Sequence, residues 1–426
     1  MQQLGDKLIQ WRRDFHQYPE TGFLEMRTAS IVASILDELG FYLQMGKKVM
    51  SEQDCMGKPT DEETKEHYQW AKENGAKKDY LPLFSEGYTG IVATLDSGKE
   101  GPTIAYRFDM DALDILESDS NDHFPLNEGF SSKLHGKMHA CGHDSHTAMG
   151  LGLATLLIEN KHQLKGKIKL IFQPAEEGTR GAKAMAAANV IEDVDYFIAT
   201  HIGVGVPHKQ FIAANSGFLA TSKLDITYTG TAAHAGGSPE EGKNALLAAA
   251  ASVLSLHGIS RHSGGATRVN VGQLEAGAGR NIIANHASMK VETRGETSEI
   301  NDFVKEQVTS IVSGAATMYQ VEHKIETVGE ALSCKCSLDL AEILHQCAEA
   351  SPDIEKSRLE DNTPGGSEDA TYFMKAVQKN GGQATYCVFG TELAAGHHNE
   401  RFDINEETLL PAVKVLYQSV QKIMEK

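Results

Sequence analysis

Apolar positions in the first forty residues recur with helical spacing. Leu4, Leu8, Trp11 and Phe15 fall on one face, and Ile31, Ile35 and Leu39 continue on a second helix that ends at Gly40. From Met45 to Phe84 that pattern fails. Lys, Glu, Asp and Gly dominate, with apolar anchors only at Tyr68–Ala71 and Tyr80–Phe84, so about 45–84 reads as a polar insertion with one or two short helices. Strand signals resume at Gly90–Leu95 and Thr103–Tyr106. They then alternate with helices: a buried helix over 144–160, a strand over Lys167–Phe172, a helix near 181–190 and a strand over Tyr196–Thr200. This alternation predicts an α/β fold with a mostly parallel sheet covered by helices.

The middle of the chain changes period. Lys223–Tyr228 alternates with period two, as a strand with one wet face does. An Ala-rich helix (Asn244–His257), strands near Arg268–Gln273 and His286–Thr293, and a helix near 299–318 follow. The order resembles a small ferredoxin-like α+β domain, expected at 217–329 and inserted into a catalytic domain made of 1–216 and 330–426. Ala384–Phe389 reads as a buried strand of that outer domain.

Composition narrows the classes. At 426 residues, two domains are the expectation. Hydrophobic content of 41% and charged content of 23% fit a folded protein. A net charge of −18 without a basic stretch argues against nucleic acid. No apolar run reaches the roughly 18–20 residues of a membrane span. The N-terminus lacks a basic region followed by an apolar core, and six cysteines show no framework spacing, so a reducing, cytoplasmic setting is expected.

The chemistry concentrates in His139-Ala-Cys-Gly-His-Asp144, followed by His146. A thiolate and an imidazole two residues apart, with Gly142 between them, can turn towards one metal or a metal pair. Glu176 and Glu177 follow a strand. One carboxylate can bind metal, while the other takes a proton from a water whose pKa a metal lowers from about 16 towards 7. Standing alone, the pair reads more readily as the acidic first turn of a helix. His201 and His398 lie after strand signals, and Asp109 and Asp111 follow Thr103–Tyr106, where they can accept from metal-bound histidines and fix their tautomers. Strand ends are where ligands bind in open α/β sheets. No G-x-S-x-G elbow, P-loop, HExxH or dinucleotide fingerprint is present, and the zinc-deaminase signature is missing.

Seven stretches together resemble the di-metal aminoacylase/carboxypeptidase family, in its amino-acid amidohydrolase branch. They are Arg12-Arg-Asp-Phe-His-Gln-Tyr-Pro-Glu20, Asp109-Met-Asp-Ala-Leu113, Met138-His-Ala-Cys-Gly-His-Asp144, Phe172-Gln-Pro-Ala-Glu-Glu-Gly178, Thr231-Ala-Ala-His-Ala235, Gly366-Ser-Glu-Asp369 and His398-Asn-Glu-Arg-Phe-Asp-Ile-Asn-Glu406. The resemblance implies Cys141, His143, Glu177, His201 and His398 as ligands of two divalent ions, Zn2+ or Mn2+. It implies Glu176 as the general base, with His139, Asp144 and His146 in support. It further implies a lid that dimerises, whose His234 reaches the other protomer's site to stabilise the oxyanion, and Asn281 and Arg294 as holders of a substrate carboxylate. The expected reaction is cleavage of an N-acyl amino acid amide, with a dipeptidase or general deacylase as the alternative. The alternative of another class is a non-catalytic, metal-binding partner chain. The sequence departs from the branch at Asp114 and Glu400, where proline is usual, and in its long insertion and expanded 114–137 segment. Those expansions resemble the aminobenzoyl-glutamate-cleaving A-type chains of the branch, which implies either a homodimer or a homologous B-type partner.

Overall fold

The computed structural model describes residues 1–363 and 365–425 and divides into two compact units. The first comprises Met1–Gly217, Cys334–Thr363 and the chain from Asp369 onward. The second comprises Phe218–Ser333 and a short stretch ending at Glu368.

Strands β1 (Tyr42–Met45), β2 (Ile91–Asp96), β3 (Thr103–Asp109), β4 (Lys167–Gln173), β5 (Tyr196–Ile202) and β6 (Gln210–Asn215) precede the second unit. That unit contributes β7 (Ala220–Thr229), β8 (Thr267–Ala276), β9 (His286–Gly295) and β10 (Glu322–Ala331). The chain then returns with β11 (Lys356–Asp361) and β12 (Gln383–Phe389).

The large sheet runs β1-β2-β4-β3-β5-β12-β6-β11. It is mixed rather than mostly parallel. The central ladders β4/β3, β3/β5 and β5/β12 are parallel, as is β6/β11, whereas β1/β2, β2/β4 and β12/β6 are antiparallel. The physical reason is connection length. Crossover helices follow β3 and β4, but β2 reaches β3 through a short turn at 97–102 and β1 pairs at the edge. Four strands, β1, β6, β10 and β11, carry no clear signal in the sequence. The first two are short, and β10 and β11 carry many polar residues, so neither period stands out.

All seven residues of β3 are buried, as in a strand covered on both faces. The helix His143–Glu159 is buried almost along its whole length, and the helices Gln2–Gln17 and Leu409–Met424 pack over it. A side chain in place of Gly150 would stand 2.7 Å from both Phe108 and Phe172, so the small residue sets the closeness of helix to sheet. In the insertion, the helix Asp61–Glu73 opens with a capping box between Thr60 and Glu63.

The second unit has the chain order strand-helix-strand-strand-helix-strand, and its antiparallel sheet runs β10-β7-β9-β8. Alternate residues of β7 and β9, among them Leu224, Ile226, Met289 and Val291, meet Val308 and Val312 of the helix Ser298–Tyr319 in one core. The 218–333 segment leaves and re-enters the first unit beside one hydrogen bond, from the Cys336 N–H to Ser216 Oγ at 3.0 Å, and the short stretch ending at Glu368 joins the second unit separately.

Candidate metal centre

Three parallel strands, β4, β3 and β5, end on one edge of the sheet, and that edge gathers most of the expected residues. Asp109 closes β3, Glu176 and Glu177 follow β4, and His201 lies near the end of β5. Gly142, at φ +93°, turns the chain into the helix that begins at His143. A Cβ there would lie 2.8 Å from Ile202 Cγ2, so the turn needs glycine for both conformation and space. His398, also in the left-handed region, donates its backbone N–H to Ala140 O at 2.8 Å, which ties the C-terminal loop to the cysteine turn.

The donor atoms form two triads that share Cys141: Cys141, His143 and His201, and Cys141, Glu177 and His398. The Cys141 Sγ lies 3.6 Å from His201 Nε2, and His398 Nε2 lies 3.3 Å from Glu177 Oε1. Backbone carbonyls set both buried imidazoles. His143 Nδ1 donates to Asp111 O at 2.9 Å and His201 Nδ1 to Ile202 O at 2.8 Å, which leaves each Nε2 a bare lone pair. Among the described residues, buried His143 Nε2 has no hydrogen-bond partner, and Glu177 Oε1 has only the His398 imidazole beside it. Such atoms cost free energy unless something binds them, and two nitrogens, a sulfur and carboxylate oxygens suit a divalent cation.

Burial, then Glu177, hold the Cys141 thiol well above its ordinary range. Burial, then His146 and His397, hold the His201 imidazolium well below its own. For His143, burial opposes the charge, but Asp109, Asp111 and the Cys141 sulfur outweigh it and raise the group. A coordinated cation inverts this logic, because it deprotonates a thiol outright and requires neutral imidazole.

The two aspartates divide the support. Asp109 is paired with Arg107 at 2.6 Å and with His146 Nδ1, and lies 3.8 Å from His143 Nε2. His146 Nε2 then accepts the Ile202 N–H at 3.0 Å. Asp111 has a role that its place in the sequence does not suggest. Its carboxylate accepts the N–H of Glu176 at 3.0 Å and of Glu177 at 2.8 Å. Glu25 accepts the preceding amide, Ala175 N–H, at 2.8 Å while Ala175 sits at φ +52°. Three successive amides of the acidic turn are thereby fixed by buried carboxylates. Burial and the nearby Asp111 push Glu25 up to about 8.

The sequence profile of Peptidase family M20/M25/M40 matches residues 105–422. The chain is 50% identical over 416 residues to indole-3-acetyl-aspartic acid hydrolase of Enterobacter agglomerans, covering 98% of this chain and 95% of that one. It is 49% identical over 413 residues to the A-type chain of p-aminobenzoyl-glutamate hydrolase of Escherichia coli (strain K12), covering 97% and 95%. The crystal structure of an aminobenzoyl-glutamate utilization protein from Klebsiella pneumoniae superposes with a TM-score of 0.87 at 44% identity, over 99% of this chain and 96% of that one. The chain belongs to peptidase family M20/M25/M40.

This family member is a hydrolase acting on amide bonds, with an α/β fold built on a large mixed sheet. Three of the expected residues lie in the second unit. The Ala235 N–H donates to Asn281 O at 2.9 Å, which brings the His234 and Asn281 segments together. His234 Nδ1 accepts the Gly236 N–H at 3.1 Å, so the ring proton sits on Nε2. Arg294, on β9, is held side-on by Glu292 at 3.1 Å through two contacts. His139 is buried with neither ring nitrogen partnered, and burial lowers it to about 3.

Behind the first unit's donors lies a charged network. Fully buried Arg12 binds Asp144 at 3.0 Å, Glu406 at 3.1 Å and also Asp403. His16 joins it, with Nδ1 2.8 Å from Asp144 and Nε2 3.0 Å from Glu117. Sequence reasoning passes over Glu25, Arg12 and His397 as individual contributors. The His397-His398 pair is the one visible signal; the resemblance selects His398 as the ligand, and the structure shows what each ring meets.

Proposed function

We propose that this family member cleaves the amide between an aromatic acyl group and an acidic amino acid, with p-aminobenzoyl-glutamate as the leading substrate. What carries this reading is the likeness, at about half identity over almost the whole chain, to two hydrolases whose named substrates join an aromatic acyl group to aspartate or glutamate. Cys141, His143, Glu177, His201 and His398 hold two divalent ions, Zn2+ or Mn2+, with sulfur and imidazole favouring zinc. The ions supply Lewis acidity that makes water a nucleophile at neutral pH and polarises the amide carbonyl.

The remaining chemistry belongs to side chains. Glu176 takes the proton of the attacking water and delivers it to the leaving nitrogen. Asp109, through His146 and beside His143, and Asp111, through the Glu176–Glu177 amides, keep these groups aligned. The 217–329 region acts as a ferredoxin-like lid and dimerisation domain around the catalytic 1–216 and 330–426. Its His234, acting from one protomer on the other's site, donates Nε2–H to the developing oxyanion; the Gly236 contact on Nδ1 supports that tautomer. Asn281 and Arg294 hold a substrate carboxylate, for which the planar guanidinium is suited. The assembly is a homodimer or, since relatives are named as A-type chains, a pairing with a homologous B-type chain.

The test is a substrate panel on the protein purified alone, with metal content measured in parallel. p-Aminobenzoyl-glutamate and indole-3-acetyl-aspartate should be cleaved with kcat/KM at least tenfold above N-acetyl amino acids and dipeptides. Faster cleavage of dipeptides, or two bound metals without hydrolysis of any acyl amino acid, would overturn the assignment.

A further inference from the structure

The His397 ring lies against Cys141 and against a turn whose backbone few residues adopt. Gly203, Val204 and Gly205, directly after β5, have φ values of +83°, +48° and +73°. For a β-branched residue such as Val204 this conformation is unfavourable and persists only where its surroundings hold it. Here the Val204 N–H donates to His397 Nε2 at 2.9 Å. A backbone N–H can only donate, so Nε2 is the acceptor nitrogen and the ring proton of the neutral imidazole sits on Nδ1. Nδ1 lies 3.6 Å from Cys141 Sγ, within reach of an N–H···S hydrogen bond. The ring plane is fixed from two sides, by Phe402 at 5.0 Å and His201 at 5.3 Å between centroids.

We propose that His397 is a positioning residue of the metal centre, which donates its Nδ1–H to the Cys141 sulfur while the left-handed turn at Val204 dictates its tautomer. The inference rests on the reading of Cys141 as a ligand. His397 itself does not coordinate. Its neighbour His398 points a nitrogen at Glu177, whereas both His397 nitrogens are already committed. A proton shared with the sulfur withdraws electron density from it. That makes the thiolate a weaker base and keeps it oriented towards the position where both triads meet. Partners of this kind tune a metal site as strongly as many direct ligands do.

Two substitutions separate the two ring nitrogens. In His397→Asn the amide occupies the place of Nδ1, so it can still donate to the sulfur but not accept from Val204. In His397→Gln the amide reaches the place of Nε2, so it keeps the Val204 contact and loses the sulfur. The probe is cobalt(II) added to the metal-free full-length protein, with the sulfur-to-cobalt charge-transfer absorption and the cobalt affinity as readouts. The expected result is a charge-transfer band in wild type, a shift to longer wavelength with about 10–100-fold weaker cobalt binding in His397→Gln, and a near-native band in His397→Asn. A band and affinity unchanged in His397→Gln would overturn the proposal, as would an equal shift in both variants, which is what a merely structural ring would give. Absence of the band in folded wild type would instead remove Cys141 as a ligand, and with it the reading on which the inference stands.

Discussion

Arg12 Nε donates to Asp144 at 3.0 Å, joining the first helix to the residue that follows His143. The same guanidinium reaches Asp403 and Glu406, a few residues beyond His398. Two candidate ligands far apart in sequence are thus anchored to one buried cation. Arg12→Met should take the shared cation from three carboxylates, of which Asp144 keeps His16 and Glu406 keeps Arg13, and removing one partner of a buried ionic cluster costs about 3–5 kcal/mol. Urea denaturation should show that loss together with weakened metal retention; unchanged stability would mean that the cluster relaxes without its cation.

Asp111 holds the acidic turn by two amides, so its role can be separated from charge. Asp111→Asn keeps the shape but offers one acceptor oxygen in place of two. Losing one buried amide contact should cost about 1–3 kcal/mol, read as a lower kcat with both metals still bound. If metal is lost and kcat per loaded site is unchanged, Asp111 serves His143, whose Nδ1 lies 3.3 Å from its carboxylate, rather than the Glu176–Glu177 turn.

Glu176→Gln removes the base and keeps the volume. Turnover should drop by about 10²–10⁴-fold, with metal content near wild type by elemental analysis. Near-normal turnover would assign the proton to another group.

His234→Ala should lower kcat by about 10²–10³-fold, the usual cost of one oxyanion donor, with a smaller change in KM. Mixing Glu176→Gln with His234→Ala protomers should restore activity to one site of each mixed dimer. An inactive mixture would rule out His234 acting across the dimer boundary.

The His16–Glu117 pair gives stability a pH window. Burial alone would lower His16 from its ordinary 6.5, but the contacts with Asp144 and Glu117 lift it to about 9. Burial alone would raise Glu117 from 4.5, but His123 and His16 hold it down to about 2. A raised histidine contributes fully below pH 6.5 and loses its contribution as pH climbs through about 9. A depressed carboxylate contributes fully above pH 4.5 and loses its contribution as pH falls through about 2. Their joint contribution is therefore largest between about pH 4.5 and 6.5. Denaturation midpoints against pH should show His16→Gln losing most in that window and least above pH 9.

The sequence is legible where one residue type has one use. Gly142 between Cys141 and His143 marks a turn able to face a metal by residue type and spacing, whereas the paired glutamates after a strand read alone as an acidic helix start and gain their roles only through the family resemblance. Continuous apolar runs locate β3, β4 and β5, which are covered on both faces for most of their length, and the alternating period locates β7. Away from its centre the sheet is less readable, since β1, β6 and β11 are short or polar and no period marks the direction in which they pair. Supporting residues are harder still. Glu25 and Asp111 act on backbone amides, which leave no trace in side-chain spacing. Their partner turn at Ala175 depends on a left-handed residue that is not glycine. The family resemblance picks out His398, but nothing in the sequence shows that His397 meets the amide of Val204 and the Cys141 sulfur.

The seam at Ser216 and Cys336 gives the chain a modular grammar. A segment that departs and returns at one hydrogen bond demands little of its host beyond two adjacent attachment points, as domain insertions generally do. The 218–333 stretch is in that sense a cassette. Cys141, His143, Glu177, His201 and His398 all belong to the first unit, so the length of the inserted stretch does not enter the spacing between them.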